Sequence, residues 1–241
     1  MIESFALLLA AHALGDFLLQ SDAMAARKAE GRPGALLAHA GIHLALLLAL
    51  LAPTEPRAAL ALLALALAHL AIDAGKALLP RRGLTAFLVD QALHLASLAL
   101  LAQLMPGLWE ASLWAPYLAE APRLLALGAG FLIAARAGSF AVALLMEGLA
   151  PGGLPAGEES GSGLPRGGAA IGYLERGLIF VLMLAGQPGS IGFLIAAKSI
   201  LRFGTVSESR AASEYVIIGT LASFGWAIAV TFAAQALAAR L

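Results

Sequence analysis

Hydrophobic residues occur in long runs, separated by short stretches rich in Pro, Gly and charged residues. The runs at 44–52, 58–70 and 93–104 consist mostly of Ala and Leu. A membrane-spanning helix needs about 20 such residues, and a helix is the form in which a single segment satisfies its own backbone hydrogen bonds in lipid. The pattern therefore predicts eight helices, near 2–21, 34–52, 57–79, 84–105, 121–149, 170–186, 189–204 and 211–238.

The seventh predicted helix is short and charged, so the number of spans is seven or eight. A Gly-, Pro- and Ser-rich segment at 150–169 predicts a flexible loop. It would separate a five-helix membrane region, 1–149, from a C-terminal membrane region of two or three helices, 170–241. The fold class we expect is an all-α integral membrane protein built as one unit.

Composition supports this prediction and excludes several functions. Hydrophobic residues make up 61% of the chain and charged residues 12%, far from the balance of a soluble domain. The formal net charge is zero, so no basic face for nucleic acid is expected. Cysteine is absent, which removes disulfides, thiolate metal ligands and thiol catalysis.

Basic residues concentrate in the first and third predicted loops, which carry Arg27, Lys28, Arg32, Arg81 and Arg82. Loops enriched in Lys and Arg stay on the cytoplasmic side of a membrane. The sequence therefore predicts that these two loops are cytoplasmic and that the N-terminus lies outside.

The five histidines follow a regular pattern. Each has a histidine or an aspartate four residues away, about one helical turn, so that both side chains share a helix face. One pair falls on each of the first four predicted helices: His12 with Asp16, His39 with His43, His69 with Asp73, and Asp90 with His94. We therefore expect these four helices to form a bundle around a buried His/Asp ring.

The pairs also match in depth. Their order reverses between the third and fourth helices, as a reversal of chain direction requires. Counted from the predicted cytoplasmic ends, a layer about nine or ten residues deep contains His12, His43, His69 and His94. A layer about five or six residues deep contains Asp16, His39, Asp73 and Asp90.

Such a ring suits divalent metal binding, because imidazole and carboxylate are common ligands that facing helices of a bundle can supply together. We expect one or two ions, with Zn favoured and Mn or Fe as alternatives. Asp16, Asp73 and Asp90 are also candidates for a catalytic base. Gln20 and Gln91 are predicted to support the ligands.

Two other interpretations of the ring are open at this stage. The polar side chains could hydrogen-bond across helices and serve as a scaffold, although ionisable groups inside a membrane are costly and usually functional. A bis-histidine haem site would use the imidazoles but leave three aspartates without a role.

Charged residues are few in the second half and include Glu175, Arg176, Lys198, Arg202 and Glu214. They have a structural interpretation, in which Glu175 and Glu214 neutralise the Lys198 and Arg202 cations. They also have a functional one, in which Arg176, Lys198 and Arg202, together with Lys76 in the first half, bind an anionic substrate beside the metal. Glu175 and Glu214 would then support that site.

Seven segments carry a family resemblance: HxxxDFxxQ from His12, HxxxH from His39, HxxxDxxK from His69, DQxxH from Asp90, GYLER at 172–176, KSxxRF from Lys198 and EYxxxGT from Glu214. With them the chain resembles a family of bacterial polytopic membrane proteins catalogued as a domain of unknown function. The resemblance covers nearly the whole chain outside 106–170. It implies one integral unit in the bacterial cytoplasmic membrane and no particular activity.

These observations favour two functions. The first is a membrane-embedded, metal-dependent hydrolase that acts on a lipid or another anionic, phosphate-type substrate at the cytoplasmic leaflet. The second is a divalent cation transporter that uses the ring as its transport site. The expected partners are the bilayer and the substrate, with homo-oligomerisation left open.

Overall fold

A computed structural model describes residues 1–78, 83–149, 167–202 and 210–241. These residues contain nine helices and no β-strand. The helices are α1 (Ile2–Leu19), α2 (Asp22–Ala29), α3 (Pro33–Leu51), α4 (Pro56–Leu78), α5 (Leu84–Leu104), α6 (Ala121–Glu147), α7 (Gly167–Leu184), α8 (Ser190–Arg202) and α9 (Arg210–Ala238). The predicted all-α fold is confirmed.

Seven of the described helices are long and apolar enough to cross a membrane, namely all except α2 and α8. Helix α8 has 13 residues, fewer than the roughly 17 that a span requires. Helix α2 lies where the sequence predicted only a loop. Most of the predicted flexible loop, and also Arg81 and Arg82, lie outside the described residues.

The chain forms two compact units. The first comprises Met1–Leu132 and Ala234–Leu241, and the second comprises Ile133–Ala233.

Four helices of the first unit form a closed bundle in which α1 contacts α3, α3 contacts α4, α4 contacts α5, and α5 contacts α1. The first part of α6, Ala121–Leu132, packs on the outside of α1. Helix α1 is consequently the most enclosed, and Leu7 and Leu8 are fully buried. Helices α4 and α5 each keep one face exposed and place leucines there, including Leu60 and Leu67 seven residues apart. Leucines on an outward face suit contact with lipid.

One end of this bundle is covered by the segment that connects α5 to α6. Leu108 and Trp109 of that segment are buried, and the Trp109 amide donates to Ser4 Oγ of α1. The Leu113 amide donates to the Ala52 carbonyl at the end of α3. We call this the sealed end. The other end, where α1 stops and α2 lies, is called the α2 side.

The second unit has its own apolar core, which consists of Ile179, Met183, Ile191, Phe224 and Ala227. Near this core α6 contains a π-helical turn at Ile133–Ala137. A π-helical turn leaves backbone carbonyls without their usual helical donor. Two side chains supply donors here: Arg176 Nε donates to the Ala135 carbonyl and Trp226 Nε1 to the Ile133 carbonyl.

Candidate metal centre

The bundle of the first unit brings all eight residues of the predicted ring together. Within it, three overlapping sets of side chains offer ligand atoms that lie within 4.8 Å of one another. The sets are His12, Asp16, His43 and His69; His39, His69 and Asp73; and Asp73, Asp90 and His94. Because His69 and Asp73 are each shared by two sets, the ring is one continuous cluster.

Asp16 lies at the centre of this cluster. Its Oδ1 is 2.9 Å from Nε2 of His43 and 3.1 Å from Nε2 of His39. Nε2 of His69 lies 3.6 Å from the same oxygen, and Nε2 of His12 lies 3.8 Å from Oδ2. Four imidazole nitrogens thus surround one carboxylate. Two of them, from His39 and His43, lie within hydrogen-bond distance of Oδ1.

The imidazoles of the predicted deep layer pack closely against one another. The ring centroids of His43 and His69 are 3.7 Å apart, and those of His69 and His94 are 4.1 Å apart. His12 completes the layer at 5.1 Å from His94. Three of these imidazoles, His12, His43 and His69, belong to one ligand set together with Asp16.

His94 has the hydrogen bonding of a metal-binding histidine. Its Nδ1 lies 2.9 Å from the backbone oxygen of Asp90. A carbonyl oxygen only accepts, so Nδ1 carries the proton and Nε2 presents a lone pair. This Nε2 is buried and has no hydrogen-bond partner among the described residues. Metal-binding histidines commonly donate their second nitrogen in this way, which fixes the tautomer and the ring orientation.

Five buried atoms of the cluster lack a hydrogen-bond partner among the described residues. They are Nδ1 of His12, Nδ1 of His39, Nε2 of His69, Oδ1 of Asp90 and Nε2 of His94. Leaving such an atom unpaired typically costs about 1–3 kcal/mol, so these atoms are candidates to bind a metal ion or water.

A small cavity of about 10 Å³, room for one water at most, lies beside the ring. It borders His12, His43 and His69 but not the other histidines or Asp90. The cavity is also lined by a layer of buried leucines, one turn from each deep histidine toward the sealed end: Leu8, Leu47, Leu65 and Leu98. Their spacing of four residues from each histidine is visible in the sequence and was not used there.

Gly15 allows helices α1 and α3 to approach closely. Gly15 of α1 lies against the imidazole of His43, and a Cβ at this position would overlap atoms Cε1 and Nε2 of that ring. Gly15 also begins a π-helical turn, Gly15–Leu19, which contains Asp16. Turns of this kind are frequent at functional sites because they re-aim one side chain.

Gln91 contacts the ring directly. Its Nε2 donates to Asp16 Oδ2 at 3.2 Å and to Asp90 Oδ2 at 3.3 Å, and its Oε1 lies 3.2 Å from His12 Nε2. Gln20 is placed differently, because its Oε1 accepts from Lys28 Nζ at 2.7 Å.

Two lysines form ion pairs with aspartates of the ring. Lys76 Nζ lies 2.7 Å from Asp90 Oδ2, and Lys28 Nζ lies 2.6 Å from Asp73 Oδ2. From the sequence, Lys28 contributed only to the predicted orientation, and its contact with Asp73 was not predicted. The sequence offered only a weak signal for this contact. Lys28 lies eight residues from Gln20, and the helix that contains Lys28 was not predicted.

The predicted charged residues of the second half lie in the second unit. Lys198 Nζ pairs with Glu175 at 2.6 Å, as the structural interpretation expected. Glu214 pairs with Arg210 at 2.8 Å. Arg176 is buried and donates to Ser223 and Ser139 as well as to the backbone of α6. The side chain of Arg202 lies outside the described residues, so its predicted partner is not seen.

Comparisons with known proteins give a match only for the first half of the chain. No curated protein and no solved structure matches the sequence. Residues 4–119, which include all eight ring residues and the segment that covers the sealed end, match the family model described as "Protein of unknown function (DUF3307)".

Proposed function

We propose that this protein is a membrane-embedded, metal-dependent hydrolase that acts on an anionic, phosphate-type substrate such as a lipid head group. The observation that carries the proposal is the cluster around Asp16, in which four imidazole nitrogens converge and several buried ligand atoms have no partner among the described residues. In the orientation predicted from the basic loops, the α2 side faces the cytoplasmic leaflet of a bacterial inner membrane.

Among the three ligand sets, the set of His12, Asp16, His43 and His69 is the best candidate for the ion. Its one carboxylate has no lysine partner among the described residues, whereas Asp73 and Asp90 each hold an ammonium group. Three imidazoles and one carboxylate suit Zn, with Mn or Fe as alternatives. A divalent ion at this set would supply Lewis-acid activation of water or of a phosphoryl oxygen.

Asp90 is the residue we assign as general base. Asp16 is needed by the ion, and Asp73 is paired with Lys28, whose side chain is only 12% exposed. Asp90 keeps Oδ1 without a hydrogen-bond partner, so this oxygen is free to accept a proton from water. Water adds to phosphorus as Asp90 takes its proton, the P–O bond to the alcohol breaks, and the protonated Asp90 returns that proton to the leaving alkoxide. Lys76, which is 43% exposed and paired with Asp90, is placed to attract the anionic group.

A ring that can be reached only from the α2 side favours a hydrolase over a transporter. The leucine layer next to the deep histidines and the cover at the sealed end give the ring no polar route in that direction among the described residues. The α2 side instead carries the lysines. The predicted substrate-binding roles of Arg176, Lys198 and Arg202, with Glu175 and Glu214 as supporting residues, belong to the second unit and stay predictions.

The proposal is tested by hydrolysis in lipid nanodiscs that contain anionic phospholipid and, separately, with a soluble phosphodiester. The wild type should release product in the presence of Zn or Mn. Asp90→Asn should lose at least about 100-fold in rate, the usual effect of removing a general base, and should retain the ion. Glu55→Gln, which neutralises an exposed carboxylate near the sealed end, is the matched control. Retention of the wild-type rate in Asp90→Asn would rule out this assignment.

Transport of a divalent cation is the second candidate, and one observation favours it. His43 is the eleventh of 19 residues in α3, and His94 is the eleventh of 21 in α5, so the deep layer lies at mid-helix. Transport sites are typically near the bilayer midplane. Proteoliposomes loaded with a Zn-sensitive dye separate the two functions: a hydrolase gives no flux, whereas flux without hydrolysis would replace our first proposal with the second.

A further inference from the structure

Lys28 reaches from a surface helix into the ring. Its Nζ lies 2.6 Å from Asp73 Oδ2 and 2.7 Å from Gln20 Oε1, and its side chain is only 12% exposed. A lysine ammonium is rarely buried to this degree without a compensating carboxylate. The ion pair therefore positions α2 as well as Asp73.

Helix α2 lies at the surface of the first unit. None of its eight residues is buried. Its N-terminus is capped by Ser21, whose Oγ accepts from the Met24 amide. It contacts α3 and α4, the helices that carry the second and third pairs of the ring. Lys28 is thus the side chain that connects this helix to the cluster.

The Lys28 ammonium group contacts an oxygen that could otherwise bind a metal cation. The oxygen that binds it, Asp73 Oδ2, is also 3.4 Å from Nε2 of His69 and 3.7 Å from Nε2 of His39. These three residues form one of the three ligand sets, and Asp73 also belongs to another. A second metal ion at either set would have to compete with Lys28 for the same carboxylate.

We propose that Lys28 is a built-in cation that limits the ring to one metal ion, bound by His12, Asp16, His43 and His69. The inference rests on the proposed metal site and adds its stoichiometry. The formal charge of the cluster supports this inference. Three carboxylates and two lysines, with neutral imidazoles, sum to −1. One divalent ion changes this to +1, and a second would give +3, which is costly in a membrane interior.

Metal stoichiometry tests the inference. The full-length protein, purified in detergent without chelator, is dialysed against Zn and analysed by mass spectrometry for bound metal. The wild type should hold one equivalent, and Lys28→Met should hold two. Arg27→Met removes the same charge from an exposed neighbour on α2 and should stay at one.

Two equivalents in the wild type, or one in a folded Lys28→Met protein, would overturn the inference. Lys28→Gln removes the same charge with a side chain that can still hydrogen-bond Asp73, and it should also hold two equivalents, so the test stays decisive if Lys28→Met does not fold. A wild type that binds no ion would instead remove the metal site itself, and the inference with it. The failure of Lys28 as a limiting cation is therefore distinguishable from the failure of the proposed function.

Discussion

Gly15 of α1 lies directly against the imidazole ring of His43 of α3. Because Gly15 has no side chain, it leaves space for this imidazole. Overpacking such a contact typically costs about 1–3 kcal/mol. The imidazole would have to move, and with it the nitrogen that faces Asp16.

Gly15→Ala should therefore weaken metal binding by at least about tenfold, the lower end of the effects seen when a ligand's support is disturbed. Gly41→Ala is the matched control, because Gly41 lies in α3 and a Cβ there meets open space. Zn affinity measured by competition with a chelating dye checks the difference. Equal affinities for the two variants would show that the close approach does not position His43.

His69→Phe should affect the metal-free and metal-bound proteins in opposite ways. Nε2 of His69 has no hydrogen-bond partner among the described residues, so a ring of similar shape without that nitrogen removes an unsatisfied polar atom. The metal-free variant should be as stable as the wild type or more stable. Stabilisation by added Zn, which is about 2.7 kcal/mol at 100 times Kd, should disappear.

Thermal unfolding in detergent, with and without Zn, measures both effects of His69→Phe. Ser97→Ala is a useful control, since Ser97 borders the same cavity but offers no imidazole. A Zn-dependent rise in Tm that persists in His69→Phe would contradict the assignment of this ligand.

The buried Arg176 guanidinium of the second unit should be sensitive to the loss of a single partner. Ser223→Ala leaves the donor at Nη1, now 2.9 Å from Ser223 Oγ, without an acceptor. We expect a loss of about 1–3 kcal/mol in unfolding free energy. Ser199→Ala, whose hydroxyl bonds within its own exposed helix, should change stability by less than about 0.5 kcal/mol. Unfolding in mixed micelles compares the two, and equal effects would show that Arg176 does not depend on Ser223.

Membrane orientation can be tested cleanly because the chain contains no cysteine. Glu55 and Ala29 are both exposed and lie at opposite ends of the first unit. With the N-terminus outside, a membrane-impermeant maleimide should label Glu55→Cys in intact cells and Ala29→Cys only after permeabilisation. The reverse pattern would place the α2 side outside the cell and would exclude a cytoplasmic substrate.

The sequence was sufficient to predict the ring because two constraints act on it together. Lipid forces the apolar runs to be helices, and a spacing of four residues then puts His12 with Asp16, or Asp90 with His94, on one face. The reversal of pair order gave the common depth of the layers. The assembly of the four pairs into one buried cluster followed from these constraints, whereas the central position of Asp16 did not and is seen in the structure.

The features that the sequence did not predict depend on tertiary contacts. Helix α2 is short and polar, so no periodic pattern marked it, and the Lys28–Asp73 ion pair joins residues far apart in the chain. The π-helical turn at Asp16 depends on the packing of Gly15 against another helix. The cover at the sealed end forms through backbone and serine hydrogen bonds that carry no sequence signature.

Metal content is the most direct test of the proposed site. Protein purified in detergent without chelator should contain one equivalent of a divalent transition metal, quantified by mass spectrometry. The double variant His43→Ala, His69→Ala should lose the ion, whereas His39→Ala, which removes an imidazole outside the proposed ligand set, should retain it. Wild-type protein that contains no metal, and takes up no added Zn, Mn or Fe, would contradict the metal site and leave the ring as a hydrogen-bonded scaffold.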